Sequence, residues 1–122
     1  MIHVTTCGFD SNHKKPCNID YNLASNEYLA LFIKKEAWYY LDDTRTETHS
    51  NMVIIYPPQS HVHYGCDIPG YNDDWIHFSL KEDDLITEEN FFEFFEDISA
   101  CFPNEEDFEQ CLYSISYYYF QK

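Results

Sequence analysis

Met52-Val-Ile-Ile-Tyr-Pro-Pro-Gln-Ser-His-Val-His-Tyr-Gly65, followed after a short loop by Asp73-Asp-Trp-Ile-His-Phe-Ser-Leu80, decides the fold class of this chain. Val53 to Tyr56 is apolar on both parities, which predicts a strand covered on both faces. Pro57 and Pro58 cannot donate to a hydrogen-bond ladder and end it. In the second segment Asp73, Trp75 and His77 share one face of a strand, while Ile76 and Phe78 share the other.

Upstream, Tyr28-Leu-Ala-Leu-Phe-Ile33 is also apolar on both parities and predicts a second interior strand. Ala37-Trp-Tyr-Tyr-Leu41 follows, and Asp42-Asp43-Thr44 reads as a hairpin turn because Asp bonds its own backbone there. Arg45-Thr-Glu-Thr-His49 has the mixed polar and β-branched character of an exposed edge strand. Ser50-Asn51 makes the next turn, Asn tolerating positive φ better than other non-glycine residues. With strand character from Ile19, at least six short strands fall in the first 80 residues with no helix between them, as in an antiparallel barrel or sandwich. Residues 1–18 read as an irregular arm, and residues 19–86 as the barrel.

Beyond Leu80, Lys81-Glu-Asp-Asp84 is a polar connector and Leu85-Ile86 a further short strand. Thr87 is placed to cap a helix running to about Cys101, with Phe91, Phe94, Phe95 and Ile98 on its buried face. Pro103 stops it. Asn104 and the acidic residues after it open a second helix, predicted to run to the chain end. Its main apolar stripe is Phe108, Cys111, Leu112, Ile115 and Tyr119, and Tyr113, Tyr117 and Phe120 form another beside it. One helix on a small domain rarely buries two stripes, so residues 87–122 read as a helical region with a face for a partner, either a second copy, with Leu112, Ile115 and Tyr119 as its dimerisation residues, or a downstream domain.

Length and composition set bounds. One domain of 122 residues with 44% hydrophobic and 19% aromatic content has ample core material. Seven Lys and Arg against 22 Asp and Glu give a formal net charge of −15, a field that repels phosphate backbones and anionic lipid. Nucleic-acid binding by these residues alone is therefore excluded. Five cysteines without close pairing, no basic-apolar leader at Met1 and no long apolar run predict free thiols, a reducing cytoplasm and no membrane span.

Few groupings carry chemistry. His61-Val-His63 puts two imidazoles on one strand face, and His49, His77 or Asp67 would complete a divalent-metal site resembling the first metal motif of cupins, with Asp67 in the acidic place. No nucleophile elbow, phosphate-cradling glycine loop or Cys/His pair accompanies them, and adjacent Asp73-Asp74 point to opposite faces. No catalysis and no cofactor are expected. The polar-aromatic-polar face of Asp73, Trp75 and His77 suits a small-molecule cavity, as well as a core with satisfied polar tips.

Ile55-Tyr56-Pro57-Pro58, His63-Tyr64-Gly65 and Asp74-Trp75-Ile76-His77-Phe78, with Tyr28–Ile33 and Trp38–Leu41 upstream, closely resemble the N-terminal effector-binding domain of AraC-family transcription regulators. The resemblance spans roughly residues 19–120 and implies a cupin-like antiparallel β-barrel followed by two α-helices that dimerise. It implies a small-molecule effector, a homodimer, and DNA contact only through a helix-turn-helix domain absent from this sequence. By the same resemblance the ligand-binding positions are Tyr64, Trp75, Asp73 and Lys34, the last two being substitutions relative to sugar-sensing members. Gln59 and Asn51 stand where that family has glycine, and Val62 stands at its usual His. Parity then turns His61 and His63 away from the pocket. The rival reading is a free-standing cupin enzyme with a metal on His61 and His63, and a third is a carbohydrate-binding module.

Overall fold

The computed structural model describes residues 2–41, 43–81 and 84–110. Eight strands precede two helices: β1 (His3–His13), β2 (Cys17–Asn22), β3 (Tyr28–Ile33), β4 (Trp38–Leu41), β5 (Thr44–Glu47), β6 (Met52–Tyr56), β7 (His61–Cys66), β8 (Tyr71–Ser79), α1 (Phe91–Ser99) and α2 (Glu105–Gln110). The strands form two four-stranded antiparallel sheets, ordered β1-β8-β3-β6 and β2-β7-β4-β5. That order is the double Greek key of a jelly roll. The mainly β chain with C-terminal helices is therefore a two-sheeted sandwich.

The helices cover the outer face of the first sheet and make it the middle of three layers. Ala30, Phe32, Val53, Ile55, Ile76 and Phe78 meet Phe91, Phe95, Ile98, Phe102 and Phe108 on that side. Leu29, Leu31, Ile33, Ile54 and Tyr56 point the other way and meet Tyr39, Val62, Tyr64 and Cys66 of the second sheet. Every residue of β3 is buried for this reason, as its doubly apolar sequence requires. Phe108 anchors the helices, stacking on Phe102 at 4.3 Å and meeting Phe32 edge-on at 5.8 Å. Burying one such ring contributes roughly 1.5–3 kcal/mol.

Residues 3–13 are not an irregular arm: they form β1, paired along β8 from His3 opposite Ser79 to His13 opposite Tyr71. The strand has no hydrophobic period because it is an edge strand with most side chains in solvent, and β8 supplies its hydrogen bonds. Irregularities at Val4/Thr6 and Gly8/Ser11, with Asp10 at φ 54°, bend it over the sheet. Leu85-Ile86 forms no strand. Thr87 does not cap α1 either, since the N-cap position is Asn90. Thr87 and Asn90 instead exchange side-chain to backbone hydrogen bonds of 2.7 and 3.4 Å just ahead of the helix. Asn51 takes the expected positive φ of 61°, and Gln59 keeps a left-handed turn at φ 66°. Cys17 lies directly opposite Cys66, a pairing that 48 intervening residues hid. Leu112, Ile115 and Tyr119 lie outside the described residues. Among the described residues no helix is long and apolar enough to cross a membrane.

Candidate functional site

β8 delivers the site by simple alternation: Tyr71, Asp73, Trp75 and His77 turn toward the second sheet, while Asp74, Ile76 and Phe78 turn away. A cleft of about 630 Å³ opens there. Asp73, Trp75 and His77 form one wall, Ser11, Asn12 and His13 of β1 a rim, and Ile19, Tyr21 and Tyr64 of β2 and β7 the facing wall.

Trp75 lies over Gly8, its cross-strand partner, and a Cβ added there would sit 2.6 Å from the indole ring. The indole N–H donates to Ser11 Oγ at 3.3 Å, and the ring meets His77 edge-on at 5.5 Å. Gly8→Ala is expected to tilt the ring into the cleft. The nearest atoms all belong to the Trp75 indole and none to backbone, so the stability cost should stay at about 1–3 kcal/mol. Trp75 emission and acrylamide quenching should change, whereas Trp38, in the other sheet, should not respond.

At one end of the cleft His77 bridges two partners, with Nδ1 2.6 Å from Glu27 Oε1 and Nε2 3.2 Å from the Tyr21 hydroxyl. In the neutral imidazole the carboxylate holds the proton on Nδ1 and leaves Nε2 to accept from Tyr21. Burial, then the Glu27 and Asp73 charges, push the Tyr21 phenol to about 12. Tyr21 thus remains a neutral hydroxyl at physiological pH.

At the other end Asp73 is 1% exposed. Its Oδ2 accepts from the Tyr71 hydroxyl at 2.8 Å, and its Oδ1 has no hydrogen-bond partner among the described residues. Burial raises its carboxyl to about 6, with Asp74 adding to the rise and Tyr71, His13 and Lys34 opposing it. Burial and the Asp73 charge likewise raise the phenols of Tyr64 and Tyr71. The cleft therefore combines a carboxylate with a free acceptor position, neutral phenols and an indole face. This mixture fits a compact ligand with a ring surface and hydroxyl or cationic groups.

Of the residues expected to bind ligand, Tyr64, Asp73 and Trp75 come together here, and Lys34 does not. Lys34 Nζ pairs with Asp74 Oδ1 at 2.9 Å, on the far face of β8. The backbone N–H of Asp10 donates to the same oxygen at 2.6 Å. Alternation is the cause: the carboxylate nearest to Lys34 belongs to the residue that turns away from the cleft. Tyr21, Glu27 and His13 escaped sequence reading. Glu27 sits in an unpatterned turn, and Tyr21 and His13 reach the cleft only through pairings with β7 and β8.

His61 and His63 project from the outer face of the second sheet, opposite to the buried Val62 and Tyr64. A metal centre inside the sandwich built on them does not form. None of the third ligands expected joins them. His77 faces the cleft, His49 contacts the Ser50 carbonyl oxygen, and Asp67 accepts from Trp38 Nε1 at 2.9 Å and Arg45 Nη2 at 2.7 Å. Asp20 of β2 stands beside them instead. No protein-family model, curated protein or solved structure matches this chain.

Proposed function

We propose that this chain is the effector-binding and dimerisation domain of a bacterial AraC-type transcription regulator, holding a small molecule such as a sugar in the cleft between its sheets. The reading is carried by one juxtaposition: the Trp75 face beside the buried Asp73 carboxylate, with Tyr64 opposite. A ring stacks on the indole while its hydroxyls meet the free acceptor of Asp73 and the phenol of Tyr64. In this reading the domain acts in a reducing cytoplasm, binds without reacting, and contacts DNA through another domain, its own charge of −15 being repulsive to phosphate.

β1 supports a route for signalling. Ser11, Asn12 and His13 border the cleft, while Val4 packs against the core between the first sheet and the helices and Phe9 meets Phe102 edge-on at 6.1 Å. A ligand that prefers one seating of β1 shifts the population of helix positions by its differential affinity. Dimer contacts in the helical region would carry that shift to the spacing of the DNA-binding domains.

Thermal-shift screening of the 122-residue chain against sugars, aromatic acids and small amines tests the reading. A binder at a hundred times its Kd should raise Tm by roughly 10 °C, and Trp75→Ala should abolish the rise. A shift that survives Trp75→Ala removes the cleft from the proposal. A reading frame running past Lys122 into two helix-turn-helix patterns would support the regulator assignment, and a stop codon there would count against it.

A further inference from the structure

On the outer face of the second sheet, back to back with the cleft wall, β2 and β7 bring three donors together. Asp20 lies directly opposite His63, and His61 is its diagonal neighbour on the same face. His61 Nε2 contacts Asp20 Oδ1, His63 Nε2 lies 3.9 Å from Asp20 Oδ2, and all three donor groups fall within 4.8 Å of one another. We infer that Asp20, His61 and His63 form a binding site for a divalent transition metal such as Zn²⁺ or Ni²⁺.

Two imidazoles and a carboxylate suit Zn²⁺, Ni²⁺ or Cu²⁺, whereas Mg²⁺ and Ca²⁺ require oxygen sets. Tetrahedral bonds of about 2.1 Å put ligand atoms roughly 3.4 Å apart. Closing from the observed separations takes side-chain rotation alone, because antiparallel pairing already fixes the three Cα positions.

The ligands differ in how firmly they are held. The His63 ring stacks on Tyr40 at 4.5 Å and 10°, and Trp38 meets it edge-on at 5.3 Å. This side chain, 20% exposed, is thus fixed before any ion arrives, while His61, at 57%, is held by its contact with Asp20 and by stacking on the His63 ring at 5.7 Å. Asn18 Oδ1 lies 2.9 Å from His63 Nε2, a hydrogen bond that a metal ion on that nitrogen would replace. The net charge of −15 favours the approach of a cation.

A bound ion would staple β2, an edge strand, to β7. It would do so behind Ile19, Tyr21 and Tyr64, which line the cleft on the opposite face.

Isothermal titration of the chain with ZnCl₂ and NiCl₂ should give one site, with no response to MgCl₂. His61→Gln and Asp20→Asn, both exposed and expected to fold, should each weaken binding on the order of tenfold to a hundredfold, while His49→Gln leaves it unchanged. Binding that persists undiminished in both variants overturns the site. So does a thiolate charge-transfer band on Co²⁺ loading, which would move the metal to the cysteines, and so does equal binding of Mg²⁺.

Discussion

Gly65→Ala is expected to cost roughly 3–5 kcal/mol, the largest loss expected from a methyl group added at Gly8, Gly65 or Gly70. A Cβ at Gly65 would lie 2.2 Å from the Cys17 carbonyl oxygen, 2.8 Å from the Trp38 ring and 3.0 Å from the Cys17 carbonyl carbon. Two of these neighbours are backbone, so no rotamer change relieves the overlap. β2 must move off β7. That ladder carries Ile19, Tyr21 and Tyr64 into the cleft and Asp20 and His63 to the outer face, so both sites should weaken together with stability. Urea denaturation reads the cost as a drop in midpoint at unchanged slope. Near-normal stability would mean that β2 does not lie against Gly65. Gly8→Ala is the internal comparison, because the nearest neighbours of its added methyl are Trp75 side-chain atoms rather than backbone.

The second large effect has the opposite sign. The Asp73 carboxyl is held up at about 6 from an ordinary 3.8, chiefly by burial. Its raised value means that the folded state keeps a proton which the unfolded chain has already lost. The resulting contribution is fully present below pH 4 and is lost as pH rises through 6. The difference of about 2.2 pH units corresponds to roughly 3 kcal/mol of folding free energy forgone at neutral pH.

Asp73→Asn cannot ionise. It is expected to be more stable than the natural chain by about 1–3 kcal/mol at pH 7.5 and to show no advantage below pH 4. Subtracting the two stability curves isolates the step from every other carboxylate. Tyr71, His13, Lys34 and Asp74 surround the group and remain in both proteins. The same substitution should weaken the response to any ligand that uses the Asp73 carboxylate, since the amide keeps one acceptor oxygen but loses the charge. A chain made more stable and less able to bind identifies a carboxylate kept at a stability cost for recognition. Loss of stability at neutral pH would instead assign Asp73 a purely structural role.

How much of this was legible beforehand depends on whether the relevant signal is local. Val53 to Tyr56 and Tyr28 to Ile33 declared a sheet covered on both faces, and the helices and second sheet supply those covers. The period of two along β8 assigned Asp73, Trp75 and His77 to one face without knowledge of any partner strand. The same period turned His61 and His63 away from Tyr64.

β1 was invisible because an edge strand borrows its hydrogen bonds from elsewhere and has little apolar surface to hide. Lys34 lies apart from Tyr64, Asp73 and Trp75 because its partner depends on which face of β8 is nearest, a property of strand packing. The Glu27–His77–Tyr21 chain joins residues 50 and 56 positions apart, and Asp20 meets His61 across 41. The sequence by itself thus determined which segments are strands with two buried faces and which side chains share a face, because chirality and pleat act between near neighbours. Only the tertiary structure decided which strands meet and in what register. Register depends on the simultaneous fit of both sheets and the helical layer, and it turns separate polar residues into a cleft on one side of β2 and the Asp20–His61–His63 cluster on the other.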